Sequence, residues 1–361
     1  MTESNVEVGP GLPRIVHVVR RYGPIGGMER YVWELTHGLA AEGVAVMVVC
    51  EEVLGAVANG IDVVVVPSAP PRPRWRAMQL FRDQVKAVIG DTDLCGSIVH
   101  SHERTLGHHV TTFHGPPIAP SKRLSIWQSM SRRVRRWRAM EAEEILGKSV
   151  QAVLPVSSLV LRQLVTCYPE LSEKFVQVAW PGVAPSLDIR ETKRAGCETR
   201  FVFVGREFVR KGLSFAVQVV DAYRYLTGIE ATLDVVGPSV DELPSEILST
   251  PFVNPVGWSP SVEYAKYAAL IHPAKAEPFG MVVTEARRVG LPVICSDQTG
   301  AGEIQSKGVS VFSLASTPQD WARGLVELVT CELAQLPETA WSWSDLVRLH
   351  VDKIYPSIRI L

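Results

Sequence analysis

Several features of membrane, secreted and metal-binding proteins are absent from this sequence. It has no apolar run of about 18 residues, so no membrane-spanning helix is expected. The start, MTESNVEVGPGLPR, is polar and lacks the basic-then-apolar order of a signal peptide. The six cysteines are scattered without a CxxC spacing, which favours reduced thiols and argues against a structural zinc site. Together these absences predict a cytoplasmic protein.

Sequence repeats and low-complexity tracts are also absent. Hydrophobic residues make up 46% of the chain and charged residues 21%, which is typical of a globular protein and not of a disordered one. Because 361 residues are too many for one ordinary core, we expect two domains of roughly 150–180 residues.

Charge is unevenly distributed, although the net charge is only −1. Residues 72–138 contain thirteen Lys or Arg and four acidic residues, a local charge of +9. A positive surface on a nearly neutral protein suggests one anionic partner at one face.

Short apolar segments alternate with helical patterns, which predicts an α/β protein with two doubly wound parallel sheets. The predicted strands lie at 14–19, 44–50, 61–67, 97–102, 109–114, 152–157, 175–183, 201–206, 231–237, 252–258, 270–274, 291–296 and 308–313. A Pro- and charge-containing stretch at 182–199 predicts a linker, which gives domains at 1–183 and 198–340. The amphipathic segment 341–361 is expected to pack back on the first domain.

Basic residues follow one predicted strand in the motif FVGREFVRKG, where Arg206, Arg210 and Lys211 precede a helix predicted from about Lys211. Ligands of doubly wound sheets bind at this edge, and three cations at a helix start suit a diphosphate. A solvated surface cluster is the alternative. The loop GPIGGMER also follows a strand, but it lacks the GxGxxG spacing, and a tight turn without a ligand would explain it.

Two carboxylates, Glu277 and Glu285, bracket the apolar stretch EPFGMVVTEA. Both could face one ligand if Glu277 lies in a loop before a helix and Glu285 lies about two turns inside it. A carboxylate accepts two hydrogen bonds and suits a vicinal diol such as that of ribose. The alternatives are an exposed helix residue for Glu285 and an acid that favours the helix dipole for Glu277.

Four motifs, in order, resemble those of family 4 retaining glycosyltransferases with the GT-B fold: GPIGGMERYVWELTHGLAAEG, VTTFHGPP, FVGREFVRKG and EPFGMVVTEARRVGLPVICSD. The resemblance extends to lipopolysaccharide-core and phosphatidylinositol-mannoside type sugar transferases. It implies two Rossmann-like domains that face a central cleft, with a C-terminal helix that crosses back to the first domain. It also implies a nucleotide-sugar donor bound mainly by the second domain and an acceptor bound mainly by the first.

The resemblance also implies roles for particular residues around the donor diphosphate. Gly26 and Gly27 match a loop that meets the diphosphate, and Arg206 and Lys211 match a basic pair that neutralises it. Some members space this pair by six residues and this chain by five, so Arg210 could share or replace the role of Arg206.

Further residues match positions around the sugar and the ribose. Glu277 matches an acid that contacts donor-sugar hydroxyls, and Phe279 and Gly280 offer backbone amides nearby. Glu285 matches the residue that binds ribose, and His114 matches a histidine beside the reacting sugar. His102 also ends a predicted strand and could contact the acceptor.

Neither a metal nor another cofactor is expected. Asp91-Thr92-Asp93 resembles the DxD motif of metal-dependent transferases, but it precedes a predicted strand, and we interpret it as a turn. Five of the nine histidines fall between His100 and His114, yet no cysteine or helix-spaced pair supports a zinc site. Basic side chains and helix amides would stabilise the leaving diphosphate instead.

Two basic tracts contain tryptophan: RPRWRAMQLFRDQVK at 72–86 and KRLSIWQSMSRRVRRWR at 122–138. Apolar residues three or four apart predict a helix stripe in the second tract, and a core-facing helix with a solvated outer face would explain it. The charge favours contact with the inner membrane surface and an anionic glycan or glycolipid acceptor, such as lipopolysaccharide core.

Several functions remain open. The leading one is sugar transfer from a nucleoside-diphosphate sugar, with UDP expected because it is common in the family. The same donor with a small soluble acceptor is a second possibility. A third is a catalytically inactive module that binds lipid or nucleic acid through the basic tracts, although no aromatic-rich sheet face or helix-turn-helix pattern supports nucleic acid.

Overall fold

A computed structural model describes residues 11–68, 72–90, 94–118, 131–183, 199–304, 308–330 and 341–360. The chain forms two compact units. Unit 1 contains the described residues of Met1–Val156, Val160–Gly182 and Trp343–Leu361, and unit 2 contains those of Ser157–Leu159 and Val183–Ser342.

Strands and helices alternate in both units. The strands are β1 (Ile15–Val18), β2 (Arg21–Tyr22), β3 (Val46–Cys50), β4 (Glu52–Val53), β5 (Ile61–Val65), β6 (Ile98–Ser101), β7 (Val110–Phe113), β8 (Ala152–Pro155), β9 (Phe175–Val176), β10 (Thr199–Val204), β11 (Ala231–Val236), β12 (Val253–Gly257), β13 (Ala269–His272), β14 (Val293–Ser296) and β15 (Val309–Phe312). The α-helices are α1 (Gly27–Ala41), α2 (Arg74–Ile89), α3 (Arg132–Leu146), α4 (Ser158–Cys167), α5 (Phe208–Lys211), α6 (Leu213–Thr227), α7 (Ser245–Leu248), α8 (Met281–Arg288), α9 (Pro318–Thr330) and α10 (Trp343–Arg348).

Unit 1 is built on a seven-stranded parallel sheet in the order β5-β3-β1-β6-β7-β8-β9. Its central strands β1, β6, β7 and β8 are buried at every position, as expected for short apolar strands that helices cover on both faces. A core of β1, β3 and β6 valines with Phe81 and Met140 packs α2 and α3 onto one face. A small parallel pair, β2 and β4, was not predicted from the sequence.

The C-terminal segment belongs to unit 1, where α10 packs against α1. A β-carbon at Gly38 of α1 would lie 2.4 Å from Val347, so only glycine lets the two helices approach this closely. After α10 the chain continues as a π-helix, Leu349–Ile354, and a 3₁₀ turn, Tyr355–Ser357. The predicted packing is therefore confirmed, although the segment is not one continuous α-helix.

Unit 2 is built on a six-stranded parallel sheet in the order β12-β11-β10-β13-β14-β15. Its core includes Phe201 and Phe203 of β10 and the fully buried Trp321 of α9. The two sheets confirm the predicted α/β class, and the predicted strands lie within one to three residues of the observed ones, apart from the much shorter β9. The predicted linker lies mostly outside the described residues, which resume at 199.

One helix begins two residues later than predicted. The helix expected from about Lys211 begins at Leu213 as α6, and the short α5 ends at Lys211. Gly212 separates them at φ +81°, where a β-carbon would lie 2.2 Å from the carbonyl oxygen of Pro273. A side chain at Gly212 would therefore not fit against the backbone that directly follows β13, and the preceding Lys211 lies near the carboxyl edge of the sheet.

Candidate functional site

Basic and acidic side chains meet at the carboxyl edge of the unit 2 sheet. Lys211 Nζ and an Arg210 guanidinium nitrogen each lie 3.3 Å from Oε2 of Glu277. Arg210 also donates to the carbonyl oxygen of Ala276, which fixes its guanidinium beside the loop that carries Glu277. The structure therefore brings together three of the residues that sequence reasoning assigned to the donor.

Two glycines let the backbone and Lys211 pack closely at this edge. A β-carbon on Gly205, directly after β10, would lie 2.1 Å from Cδ of Lys211. A β-carbon on Gly237, directly after β11, would lie 2.7 Å from the carbonyl carbon of Gly205. Side chains at these two positions would displace Lys211 or the loop that precedes it.

Glu277 is held as a carboxylate. Burial alone would raise its pKa, but the buried His272 and the charges of Lys211 and Arg210 outweigh burial and lower the pKa to about 2. Nε2 of His272 lies 3.6 Å from Oε2 of Glu277, and burial lowers the pKa of His272, so its ring is neutral. The site thus combines a permanent anion, two cations and a neutral imidazole.

Glu277 and Glu285 lie on either side of the start of α8, as predicted. Glu277 is in the loop before the helix, tied to the neighbouring strand loop by hydrogen bonds with Gln298 and Gly300. Gly280, at φ +93°, caps the start of α8, and Phe279 before it is buried. Glu285 lies in the second turn and accepts a hydrogen bond of 3.2 Å from the Tyr264 hydroxyl.

Arg206 is placed differently from its basic neighbours. It lies just after Gly205 and is exposed, whereas Lys211 and Arg210 are partly buried. In the described chain the ion pairs of Glu277 are with Arg210 and Lys211, and the neutral His272 ring lies beside its carboxylate. Of the two arginines, Arg210 is therefore the one that shares the Lys211 site.

In unit 1 the glycine loop leads into α1 as expected, with Gly26 at φ +64° capping a helix that starts at Gly27. A carboxylate lies over this helix start, because a β-carbon on Gly26 would be 2.5 Å from Oε2 of Glu29. A cavity of about 320 Å³ adjoins it, lined by Arg20, Arg21, Glu29, Glu51, Glu52, Ser68 and Glu103. Carboxylates outnumber guanidiniums there, so the cavity suits hydroxyl groups better than phosphates.

His102, which is buried, and His114, which is partly exposed, belong to a group of aromatic side chains at the end of the unit 1 sheet. Nε2 of His114 lies 3.0 Å from Nδ1 of His102, and Tyr31 packs edge-on against the His114 ring at 5.0 Å. Burial lowers the pKa of His114 to about 3, so the ring is neutral. Ring nitrogens of His17, His100 and His102 lie within 4.8 Å of one another.

The described residues of the two basic tracts, 72–86 and 131–138, lie in or just before the neighbouring helices α2 and α3. Arg82 is buried and paired with Glu143 between the helices, so its charge is structural. Exposed cations remain at the starts of both helices: Arg72, Arg74, Arg76, Arg132, Arg133, Arg135 and Arg136. Trp137 is partly buried against the core. Trp127 and the Asp91-Thr92-Asp93 segment lie outside the described residues.

Sequence reasoning missed three residues of the unit 2 site: His272, Tyr264 and Gly237. His272 ends β13 only five residues before Glu277, and that position at a strand end was a usable signal. Tyr264 and Glu285 lie on either side of β13, 21 residues apart, and Gly237 meets Gly205 because β11 pairs with β10.

Two family models match consecutive parts of the chain. Glycosyltransferase Family 4 matches residues 25–187, and Glycosyl transferases group 1 matches residues 187–342. With the two parallel Rossmann-like sheets, these matches define the class: the chain belongs to the family 4 type glycosyltransferases with the GT-B fold.

Individual relatives agree with this class. Glycogen synthase of Mycobacterium tuberculosis is 24% identical over 359 residues, covering 86% of this chain and 83% of the relative. Among solved structures, WaaG, a glycosyltransferase involved in lipopolysaccharide biosynthesis, has a TM-score of 0.71 at 17% identity, covering 94% of this chain and 96% of that one. HepE of Anabaena, in complex with UDP and glucose, has a TM-score of 0.64 at 16% identity, covering 94% and 98%. At these identities the structural likeness shows the fold alone.

Proposed function

We propose that the protein transfers a hexose-type sugar from a nucleoside-diphosphate sugar, with UDP as the nucleotide, and retains the anomeric configuration. The observation that carries the proposal is the Lys211, Arg210 and Glu277 group at the carboxyl edge of the unit 2 sheet. The HepE structure, a relative in fold, contains UDP and glucose, which supports a nucleotide-sugar donor.

The geometry supports a division of tasks within unit 2. Lys211 and Arg210, with Arg206 nearby, would neutralise the negative charge that develops on the diphosphate as its bond to the anomeric carbon breaks. Glu277 remains ionised and would accept hydrogen bonds from sugar hydroxyls, with the amides of Phe279 and Gly280 beside it. Glu285 would accept from the ribose hydroxyls, with Tyr264 orienting its carboxylate.

Unit 1 would contact the acceptor and a substrate sugar. Gly26 and Gly27 open a helix that can approach a substrate closely, and His114 offers a neutral imidazole for a sugar hydroxyl. We propose that transfer needs no metal ion, because fixed cations at the unit 2 site can stabilise the leaving group.

Calorimetric titration with UDP, GDP and ADP, each with and without EDTA, tests the donor site. We expect one nucleotide, UDP, to bind equally well in both conditions, and Lys211→Ala to weaken that binding. Lys275→Ala is the matched control, because Lys275 is exposed in the same loop region. Binding that EDTA abolishes would contradict the metal-free mechanism, and no binding of any nucleotide would favour the inactive-module alternative.

The acceptor is proposed to be an anionic glycan or glycolipid at the cytoplasmic membrane face, such as lipopolysaccharide core. The exposed arginines at the starts of α2 and α3 support this, because helices that follow parallel strands begin at the carboxyl edge of the sheet. No helix in the described ranges is long and apolar enough to cross a membrane.

Vesicle binding tests the acceptor surface. The quadruple Arg→Gln variant at 132, 133, 135 and 136 should lose binding to vesicles that contain anionic lipid while hydrolysing the donor at the normal rate. Unchanged vesicle binding would instead favour a small soluble acceptor. Binding of duplex nucleic acid at physiological salt would contradict the proposal that nucleic acid is not a partner.

A further inference from the structure

A continuous chain of hydrogen bonds runs through the core of unit 1 and ends at His114. Its successive members are Thr112, His100, Tyr355, His17, His102 and His114. The five contacts are Thr112 Oγ1 to His100 Nε2 (2.8 Å), His100 Nδ1 to the Tyr355 hydroxyl (3.0 Å), that hydroxyl to His17 Nε2 (3.3 Å), His17 Nδ1 to His102 Nε2 (3.1 Å) and His102 Nδ1 to His114 Nε2 (3.0 Å).

Strand register creates this chain. His17 of β1 and His100 of β6 are paired positions on neighbouring strands, so their side chains lie side by side on one face of the sheet. Tyr355, from the C-terminal segment of unit 1, inserts its hydroxyl between them. All members except His114 are buried, and His114 is partly exposed.

The histidines of the chain are neutral. Burial, together with neighbouring histidines, lowers the pKa of His17 to about 3 and the pKa values of His100 and His102 well below their usual range. A neutral imidazole carries one N–H donor and one acceptor nitrogen. Each ring must therefore donate in one direction and accept from the other. The buried Tyr355 hydroxyl uses its proton within the chain only if it donates to one neighbouring ring and accepts from the other.

Only two proton arrangements satisfy every bond and also use the Tyr355 proton within the chain. In the first, all four rings carry the proton on Nε2, and donation runs from His114 towards Thr112. In the second, all four carry it on Nδ1, and donation runs the opposite way. A neutral histidine side chain intrinsically prefers the Nε2–H tautomer, and the first arrangement satisfies that preference four times. Nearby His350 shows that a partner can override it, because its Nδ1 lies 2.8 Å from the carbonyl oxygen of Leu346, which can only accept.

We propose that this chain fixes His114 as the Nε2–H tautomer, so that its Nδ1 presents a lone pair at the partly exposed end. That nitrogen accepts a hydrogen bond from a hydroxyl group and disfavours a phosphate or carboxylate oxygen. Within the described chain, Nε2 is the nitrogen of His114 that has a hydrogen-bond partner. Tyr355, His17 and His102 are thus positioning residues. The identification of the hydroxyl as that of a substrate sugar rests on the proposed function.

A metal ion is the competing interpretation of the same group, because three ring nitrogens of His17, His100 and His102 lie within 4.8 Å. Both nitrogens of each ring, however, already face a hydrogen-bond partner. A metal would have to displace several of these bonds inside a buried core, so the geometry favours the hydrogen-bonded chain.

Nitrogen-15 NMR of the histidine-labelled full chain tests the proposal without any substrate. His114→Gln identifies the His114 signals by their loss. In the wild type we expect a pyridine-type Nδ1 and a pyrrole-type Nε2 for His114. A pyrrole-type Nδ1 would overturn the proposal, as would a zinc-induced shift of the His17, His100 and His102 signals after one equivalent of zinc.

Tyr355→Phe removes only the hydroxyl and leaves Nε2 of His17 without an acceptor. His17 should then move its proton to Nδ1, and the remaining chain should shift His114 towards the Nδ1–H tautomer, with its Nδ1 signal moving towards the pyrrole-type position. An unchanged His114 signal would contradict coupling along the chain. If this variant does not fold, Thr112→Val interrupts the far end and tests the same coupling.

A matched control and a separate binding measurement complete the test. His37→Gln should leave the His114 signals unchanged, because His37 contacts Trp33 and lies outside the chain of hydrogen bonds. UDP affinity is measured independently. If UDP does not bind, the proposed function is contradicted, but the conclusion about the His114 tautomer is unaffected. With UDP affinity unchanged, Tyr355→Phe should lower turnover.

Discussion

Neutralising Glu277 should lower the free energy of unfolding by an amount that depends on pH. A pKa of about 2 in the folded protein, against an ordinary value of 4.5, corresponds to about 3 kcal/mol of stability at pH 7. The side chain is only 12% exposed, so solvent screens its interactions with Lys211 and Arg210 weakly. Glu277→Gln removes the charge with little change of shape, and we expect it to lose most of this amount.

The pH dependence follows from the direction of the pKa change. Because the folded-state pKa is depressed, the stabilisation is fully present above about pH 4.5 and is lost as the pH falls towards 2. At pH 3 less than about half of it remains. The stability difference between the wild type and Glu277→Gln should therefore shrink steadily below pH 4.5.

Calorimetric unfolding at pH 7 and at pH 3 measures this difference. For a unit of roughly 150–250 residues, about 3 kcal/mol corresponds to a melting-temperature difference of roughly 6–12 °C at pH 7. Glu263→Gln is the control, since Glu263 is 79% exposed and lies 4.0 Å from Lys266. Two results would show that Lys211 and Arg210 do not stabilise the ionised Glu277 carboxylate. One is a melting temperature of Glu277→Gln equal to that of the wild type at pH 7, and the other is the same loss of stability at both pH values.

Further changes test the same region. Lys211→Ala should lower turnover by roughly 10²-fold or more in a transfer assay, while Lys275→Ala should not. Glu285→Ala should weaken UDP binding by roughly tenfold in calorimetry, because a charged hydrogen-bond acceptor is lost; equal affinity would remove it from the ribose site. Gly212→Ala should destabilise by about 2 kcal/mol or more in thermal unfolding, because φ is +81° and a backbone oxygen is close. Gly228→Ala, at φ +67° in open space, should cost less, and equal losses would mean that the close approach is unimportant.

Those features of the fold and the site that depend on local sequence patterns could be predicted. Buried strands such as β1 and β10 are recognisable in the sequence as short apolar runs. The positions of the sites could then be predicted, because ligands bind at the carboxyl edges of such sheets. The loop position of Glu277 and the helical position of Glu285 followed from the Pro and Gly between them.

The features that could not be predicted depend on contacts between segments that are distant in sequence. Nothing local to Gly212 shows that the backbone of Pro273 approaches it, so the helix break was missed. Likewise the alignment of His17 with His100, and the insertion of Tyr355 between them, require the strand order and the return of the C-terminal segment. Burial of Arg82 was hidden for the same reason, because its partner Glu143 lies on another helix.

The return of Trp343–Leu361 to unit 1 has a consequence for biosynthesis. Unit 1 begins to leave the ribosome before unit 2, but its core lacks Tyr355 and the α10 contact with Gly38 until residues 343–361 have been made. Translation of residues 183–342 takes roughly 10–30 s at about 5–20 residues per second, and the uncompleted unit waits during that time. Unit 2, whose sheet is contiguous in sequence, can finish folding earlier, so the order of folding need not follow the order of synthesis.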